Sequence, residues 1–163
     1  SVRDKALAPR RKHPLLGLES DLAARLAARG RTLAEREAKH ADALSRARSL
    51  AEALHARVAA ALAAYHDATR TAPQLAVDQG PVRLDDKHLH AFEFDVRRGR
   101  HRMIVVVKSR GDVTLVGPFH MGKDEGPCRR VAFEAADVQS PGEALNEALG
   151  DVLETFLEEA ATP

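Results

Sequence analysis

Aromatic residues are scarce in this chain of 163 residues, which has no Trp, one Tyr and five Phe. This scarcity excludes a large aromatic core. All five Phe lie between Phe92 and Phe156, whereas the first half is built mainly from Ala, Leu, Arg and Glu. The two halves must therefore be stabilised in different ways, and the composition changes near Pro73.

Cysteine and long apolar runs are also nearly absent. The single Cys128 excludes a disulfide within the chain. No apolar run approaches the roughly 20 residues of a membrane-spanning helix, and no basic segment followed by an apolar one resembles a signal peptide. We therefore expect a cytoplasmic protein without a membrane partner. Because the chain begins at Ser1, removal of an initiator Met and removal of a longer precursor segment both stay open.

Net charge is small, at +1, but it is unevenly distributed. Basic residues are concentrated near the start, and the residues after Arg130 include eight acids and no Lys or Arg. We interpret residues 1–19 as a basic arm, because they also contain the helix breakers Pro9, Pro14 and Gly17. The asymmetry is more informative than the total charge.

A helical pattern follows the arm. Ser20 is suited to cap the start of a short first helix, and Gly30 is suited to end it. Thr32 and Glu35 have the spacing of a capping box, which predicts a second helix start. We interpret residues 20–71 as a helical stalk or helical hairpin with a break near Gly30. The alternative is one unbroken helix, in which the Gly costs about 1 kcal/mol relative to Ala.

The second part of this helical region carries a narrow apolar stripe. Apolar residues alternate spacings of three and four, as in a coiled-coil seam. Eighteen of the 51 residues from Ser20 to Arg70 are Ala, which favours close helix packing. A small domain alone cannot stabilise so long a helix, so we expect the stripe to meet the first helix or another copy. The predicted helix-pairing residues are Leu44, Ala47, Ala51, Leu54, Val58, Ala61 and Tyr65.

The second half has the pattern of an antiparallel sheet. Residues 72–87 are interpreted as a connector because they are interrupted by Pro and Gly, although Val82 and Leu84 could form a short edge strand. Beyond them, apolar and polar residues alternate with the period of two that is typical of a half-buried strand, and a uniformly apolar segment follows that suits a central strand. The predicted strands cover residues 90–96, 103–107, 113–116 and 130–134.

A helix is predicted at the C-terminal end. Ser140 as N-cap, Pro141 at the first helical position and Glu143 at the third form a helix start signal. The apolar face contains Leu145, Leu149, Val152, Leu153 and Phe156. The sequence therefore predicts an α+β fold, in which a long Ala-rich, coiled-coil-like helical region precedes a four-stranded antiparallel meander. The meander and the C-terminal helix that covers it occupy residues 88–163.

The turn between the first two predicted strands is strongly basic, with Arg97, Arg98, Arg100 and Arg102. Such a turn can contact the phosphates of a nucleic acid or an acidic protein surface. The turn has no aromatic residue for base stacking, and the chain has no DNA-reading helix motif. Nucleic-acid binding through these four residues is therefore kept as an alternative.

The sequence gives weaker signals for an enzyme or a metal site than for binding through the basic turn. Cys128 and His120 could pair as thiolate and imidazole, but nothing completes a catalytic site. His88 and His90 could point the same way from a strand edge, but no zinc-binding spacing is present. We expect no catalytic residue, no metal site and no cofactor, and keep an enzyme or metal site around Cys128 and His120 as a second alternative.

One block of the sequence begins at Lys108, in the second predicted hairpin, and ends at Cys128. It resembles a block from a small family of uncharacterised bacterial proteins, and the residues that carry the resemblance are Lys108, Gly117, Pro118, Gly126, Pro127 and Cys128. The resemblance covers this block alone and implies no activity. It does imply that a ligand, if one binds, would bind at the hairpin and the loop from Pro118 to Arg129.

The sequence favours a non-enzymatic assembly or adaptor protein. In this hypothesis the helical region associates with itself or with a helical protein partner. The small α+β domain then presents a second contact surface, formed by the basic turn and the glycine-rich loop.

Overall fold

The computed structural model describes residues 14–85, 87, 90–122, 129–139 and 142–162. The chain divides into two compact units, residues 1–40 and residues 41–163. None of the helices in the described ranges has the length and apolarity that crossing a membrane requires. The α+β class predicted from the sequence is confirmed.

Helix α1 runs from Pro14 to Ala68, so the predicted break near Gly30 is corrected. The Ala-rich flanks are strong helix formers, and they tolerate one Gly at about 1 kcal/mol. The Thr32 hydroxyl donates to the carbonyl oxygen of Ala28 at 3.2 Å, within the helix, and does not cap a new one. The helix also starts before the predicted Ser20. Residues 1–13 of the predicted basic arm lie outside the described part of the chain.

In the described ranges the sheet has six antiparallel strands, which corrects the predicted four. Two short strands lie in the predicted connector, and both pair with the first long strand along the edge of the sheet. The remaining four follow one another as a meander, close to the predicted positions. The strands are β1 (Asp78–Gln79), β2 (Arg83–Leu84), β3 (Ala91–Arg98), β4 (His101–Lys108), β5 (Val113–His120) and β6 (Arg130–Phe133).

Two helices follow the sheet, α2 (Ala135–Gln139) and α3 (Glu143–Ala161). Gly142, with φ 78°, precedes α3 in a left-handed conformation, which a residue without Cβ adopts easily. Helix α3 therefore begins at Glu143, and the predicted Ser140 and Pro141 lie outside the described residues. The predicted apolar face of α3 is buried, as expected.

The hydrophobic core of residues 41–163 lies on one face of the sheet. It joins α1 residues such as Leu54 and Val58, strand residues such as Phe94 and Val105, and the buried face of α3, including Phe156. Helices α1 and α3 thus cover the same face. The other face of the sheet carries mostly polar and charged side chains.

The connector is fastened to the end of α1 by hydrogen bonds. The Tyr65 hydroxyl donates to the carbonyl oxygen of Leu75 at 2.7 Å, and the backbone N–H of Val77 donates to His66 Nε2 at 3.1 Å. Gln79 Nε2 donates to the carbonyl oxygen of His55 at 3.0 Å. These bonds satisfy backbone groups in a segment with little regular structure, and they hold β1 and β2 in place along the sheet edge.

Candidate interaction surfaces

The predicted helix-pairing residues lie mainly in the core. Ala47, Ala51, Leu54 and Val58 are buried in the cluster that joins α1 to the sheet and to α3. These four side chains therefore present no surface to a second helix in the folded chain. Leu44 and Tyr65 are half-buried, and Ala61 is exposed.

The expectation that this stripe meets the first helix or another copy is therefore corrected. An apolar stripe with spacings of three and four shows that one side of a helix is buried, but it does not show what buries it. Inward-facing side chains of the sheet and of α3 share one buried cluster with the stripe, and Leu62 extends the buried row. The small domain thus covers the part of α1 that it was expected to be too small to stabilise.

A different apolar row remains exposed, in the unit formed by residues 1–40. Leu18, Leu22, Leu26 and Leu33 are each between 49% and 65% exposed. At about 100° per residue, these four leucines fall within an arc of about 80° on the helix. We call them the leucine row. The spacing of these leucines in the sequence indicates one apolar face of a helix. The predicted break at Gly30 assigned Leu33 to a second helix, so the four were not predicted to form one row.

Charges are separated along this part of α1. Glu19 and Asp21 lie near its start, and Arg25, Arg29 and Arg31 follow. All side chains from residue 17 to residue 39 are exposed. This segment therefore presents an apolar row that is acidic at one end and basic towards its middle.

The four arginines of the basic turn do not form one surface. Arg98 lies on the core side of β3, where its guanidinium donates to the carbonyl oxygen of Gln74 at 2.8 and 3.1 Å and to that of Ala160. Its hydrogen bonds fasten the connector and the end of α3 to the sheet. Arg97 and Arg100 are exposed, and Arg102 lies on the opposite face of the sheet.

A buried carboxylate organises that opposite face. Asp95 is 1% exposed, and its Oδ2 accepts a hydrogen bond from Arg102 Nε at 2.8 Å. Arg97 Nε lies 3.8 Å from Oδ2, and Arg83 Nη1 lies 3.9 Å from Oδ1. Gly80 packs so closely on Oδ1 that a Cβ at this position would collide with it. Within the described residues, Oδ1 accepts no hydrogen bond.

A groove of about 530 Å³ lies on the same face, and we call it the cationic groove. Its floor contains Ile104, Val106, Thr114 and Val116. Among the residues that the structure describes, the charged side chains along it are five cations and two carboxylates. The cations are Arg83, Lys87, Arg102, Lys108 and Arg130, and the carboxylates are Asp85 and Glu93.

Strand register places these cations around the floor. Arg102 and Lys108 lie at the two ends of β4, six residues or about 20 Å apart. Arg83 pairs in register with β3 at one edge of the sheet, and Arg130 pairs with β5 at the other edge. Four strand spacings separate these two edges, or about 19 Å. The floor is thus surrounded by positive charge on four sides.

The cations differ in how they are paired. Arg83 Nη2 lies 2.8 Å from Glu93 Oε2, and Arg102 is held by Asp95 through its Nε, which leaves the terminal nitrogens of Arg102 available. In the part of the chain that the structure describes, no carboxylate forms an ion pair with Lys108 or Arg130. The groove therefore has an excess of positive charge that the described residues do not neutralise.

The proposed enzyme and metal residues are only partly described. Cys128 and His88 lie outside the described residues, as does half of the predicted ligand loop from Pro118 to Arg129. The rings of His101 and His120 lie 4.9 Å apart, edge to face, on paired strands. Within the described ranges, no three His, Cys, Asp or Glu side chains are close enough together to hold a metal ion.

Comparisons with known proteins give no relative. No family model, no curated protein and no solved structure matches this chain. The leucine row and the cationic groove are therefore the candidate functional surfaces of this chain.

Proposed function

We propose that this protein is a non-enzymatic assembly or adaptor component that self-associates through the leucine row and presents its α+β domain to a partner. The observation that carries the proposal is the exposure of four leucines in one row of α1. Burying a leucine side chain contributes about 1.5–3 kcal/mol. A helical segment whose side chains are all exposed gains little stability from packing, so a second helix against the row would stabilise it.

Charge favours an antiparallel arrangement of two copies. At about 100° per residue, Asp21 and Arg25 lie beside the Leu18 edge of the leucine row, and Arg29 lies just inside that edge. In an antiparallel pair, like sides of the two helices meet. The register in which Leu22 of one copy faces Leu26 of the other places Asp21 between Arg25 and Arg29 of the second copy. In a parallel pair, like sides of the two helices lie on opposite flanks of the interface, so this pairing of Asp21 with Arg25 and Arg29 is lost.

The first test replaces two leucines at the centre of the row. We expect the double variant L22N/L26N to weaken dimerisation more than a hundredfold. Four leucines per dimer leave the interface, and because 54–63% of each side chain is exposed in one chain, the cost is about 3–7 kcal/mol. Sedimentation velocity over a range of concentrations measures this change. The matched control is A24N/A28N, which has the same spacing and substituted residue on the far side of the helix and should dimerise normally. Equal behaviour of the two variants would contradict the proposal.

The second test exchanges the charges. We expect D21R to weaken the dimer about tenfold, because two attractive contacts become repulsive. The variant R25E/R29E should weaken it similarly, by placing acids opposite Asp21. The triple variant D21R/R25E/R29E restores opposite charges across an antiparallel interface and should recover most of the affinity. Failure of the triple variant to recover, with both parents weakened, would argue against this register.

The positions of the four arginines disfavour nucleic-acid binding through the basic turn. The guanidinium of Arg98 is occupied by backbone carbonyl oxygens on the core side of β3, and Arg102 lies on the opposite face of the sheet, so the four arginines do not form one surface. Only Arg97 and Arg100 of the four are exposed. Two exposed arginines give a weak electrostatic footprint for a polyanion.

A further inference from the structure

We infer that the cationic groove binds an acidic amphipathic helix of a partner protein, with leucine-like side chains on the floor and carboxylates at the rim. This inference deepens the adaptor role proposed above by naming the chemistry of the partner. It depends on residues of the α+β domain alone, and its test is designed to separate it from self-association.

The charge around the groove specifies an anionic ligand. Lys108 and Arg130 form no ion pair within the described residues and lie on different sides of the floor. Arg102 is oriented by Asp95 through its Nε, so its two terminal nitrogens are available to a carboxylate in the forked geometry that arginine favours. Asp95 acts here as a positioning residue and does not itself contact the ligand.

The floor specifies the rest of the ligand. Ile104, Val106 and Val116 are aliphatic, and none of the described residues that line the groove is aromatic. Single-stranded nucleic acids bind by stacking bases on aromatic rings, so this floor does not suit them. An aliphatic floor with a charged rim suits a helix that is apolar on one side and acidic on its flanks.

The separations between the cations of the groove match the size of an α-helix. The cations around the floor lie about 20 Å apart along β4 and about 19 Å apart across the strands. A helix with its side chains is about 10–12 Å wide, and 20 Å of it contains about 13 residues. Its flanking carboxylates would therefore lie within reach of long Lys and Arg side chains on both sides.

The test measures binding of a defined probe by fluorescence anisotropy. The probe is a labelled helical peptide of about 18 residues with Leu on one side and Glu on the flanks, long enough to cross the groove. We expect K108E/R130E to weaken its binding at least tenfold, since both substitutions place a carboxylate where the peptide carries one. The control R46E/R70E makes the same change in net charge at two exposed α1-side positions and should leave binding unchanged.

Three further binding measurements test the role of the floor, the preference for a peptide over a nucleic acid, and the dependence on the dimer. A peptide with Ala in place of Leu should bind at least tenfold more weakly, and equal binding would overturn the role of the floor. Tighter binding of a single-stranded thymidine oligonucleotide than of the probe would also overturn the inference. The L22N/L26N variant should bind the probe like the unmodified protein. Loss of probe binding in the L22N/L26N variant would instead show that the binding site requires the dimer.

Discussion

Replacing Leu54 by Ala should lower the free energy of unfolding by about 3 kcal/mol. Leu54 is 1% exposed and belongs to the core cluster that joins α1 to the sheet. The substitution removes buried methyl groups and leaves a cavity that the close-packed sheet and α3 fill only in part. Urea denaturation followed by circular dichroism measures the change.

The matched control for this prediction is Leu33→Ala in the same helix. Leu33 is 49% exposed, so its truncation should change the stability of the monomer by well under half as much. The comparison also separates two roles of α1. If Leu54 belonged to a pairing seam, Leu54→Ala would dissociate the dimer and barely affect folding. That result would contradict the core described above.

Replacing Asp95 by Asn should lower the free energy of unfolding by about 2–3 kcal/mol. The substitution preserves shape but removes the negative charge that Arg83, Arg97 and Arg102 surround. Removing one partner of a fully buried ion pair costs about 3–5 kcal/mol. The expected loss is smaller here because the arginines are partly exposed and water can solvate them once the carboxylate is gone.

Asp67→Asn is the control for Asp95→Asn. Asp67 forms an ion pair with Arg70 at 3.4 Å in which both side chains are about three-quarters exposed, and such pairs contribute about 0–1 kcal/mol. Thermal unfolding of the two variants should therefore differ clearly. A loss for Asp95→Asn no larger than that for Asp67→Asn would show that the carboxylate does not organise this face of the sheet.

Local patterns predicted the regular elements well. The alternation of residues 90–96 identified β3, and the spacing of Leu145, Leu149 and Val152 identified the buried face of α3. Strands β1 and β2 have two residues each and flank Pro81, so they are too short to have a period. They form because β3 offers an unpaired edge, which is a tertiary effect.

The candidate surfaces were harder to predict, because each depends on distant residues. Asp95 follows Glu93 on the polar side of an alternating strand, and its burial arises only when arginines from β2 and β4 close over it. Lys108 and Arg130 become neighbours of one groove through the pairing of β4, β5 and β6. Spacing along the sequence does not reveal that Lys108 and Arg130 line the same groove, because their placement arises from the register of the paired strands.

The central claim is self-association through the leucine row, and the molar mass of the whole chain in solution tests it most directly. Light scattering coupled to gel filtration, repeated over a range of concentrations, should give twice the chain mass of 17.7 kDa at high concentration. Dilution should lower the apparent mass towards that of one chain. A mass of one chain at every concentration would contradict the claim and leave the leucine row without the occupant proposed here.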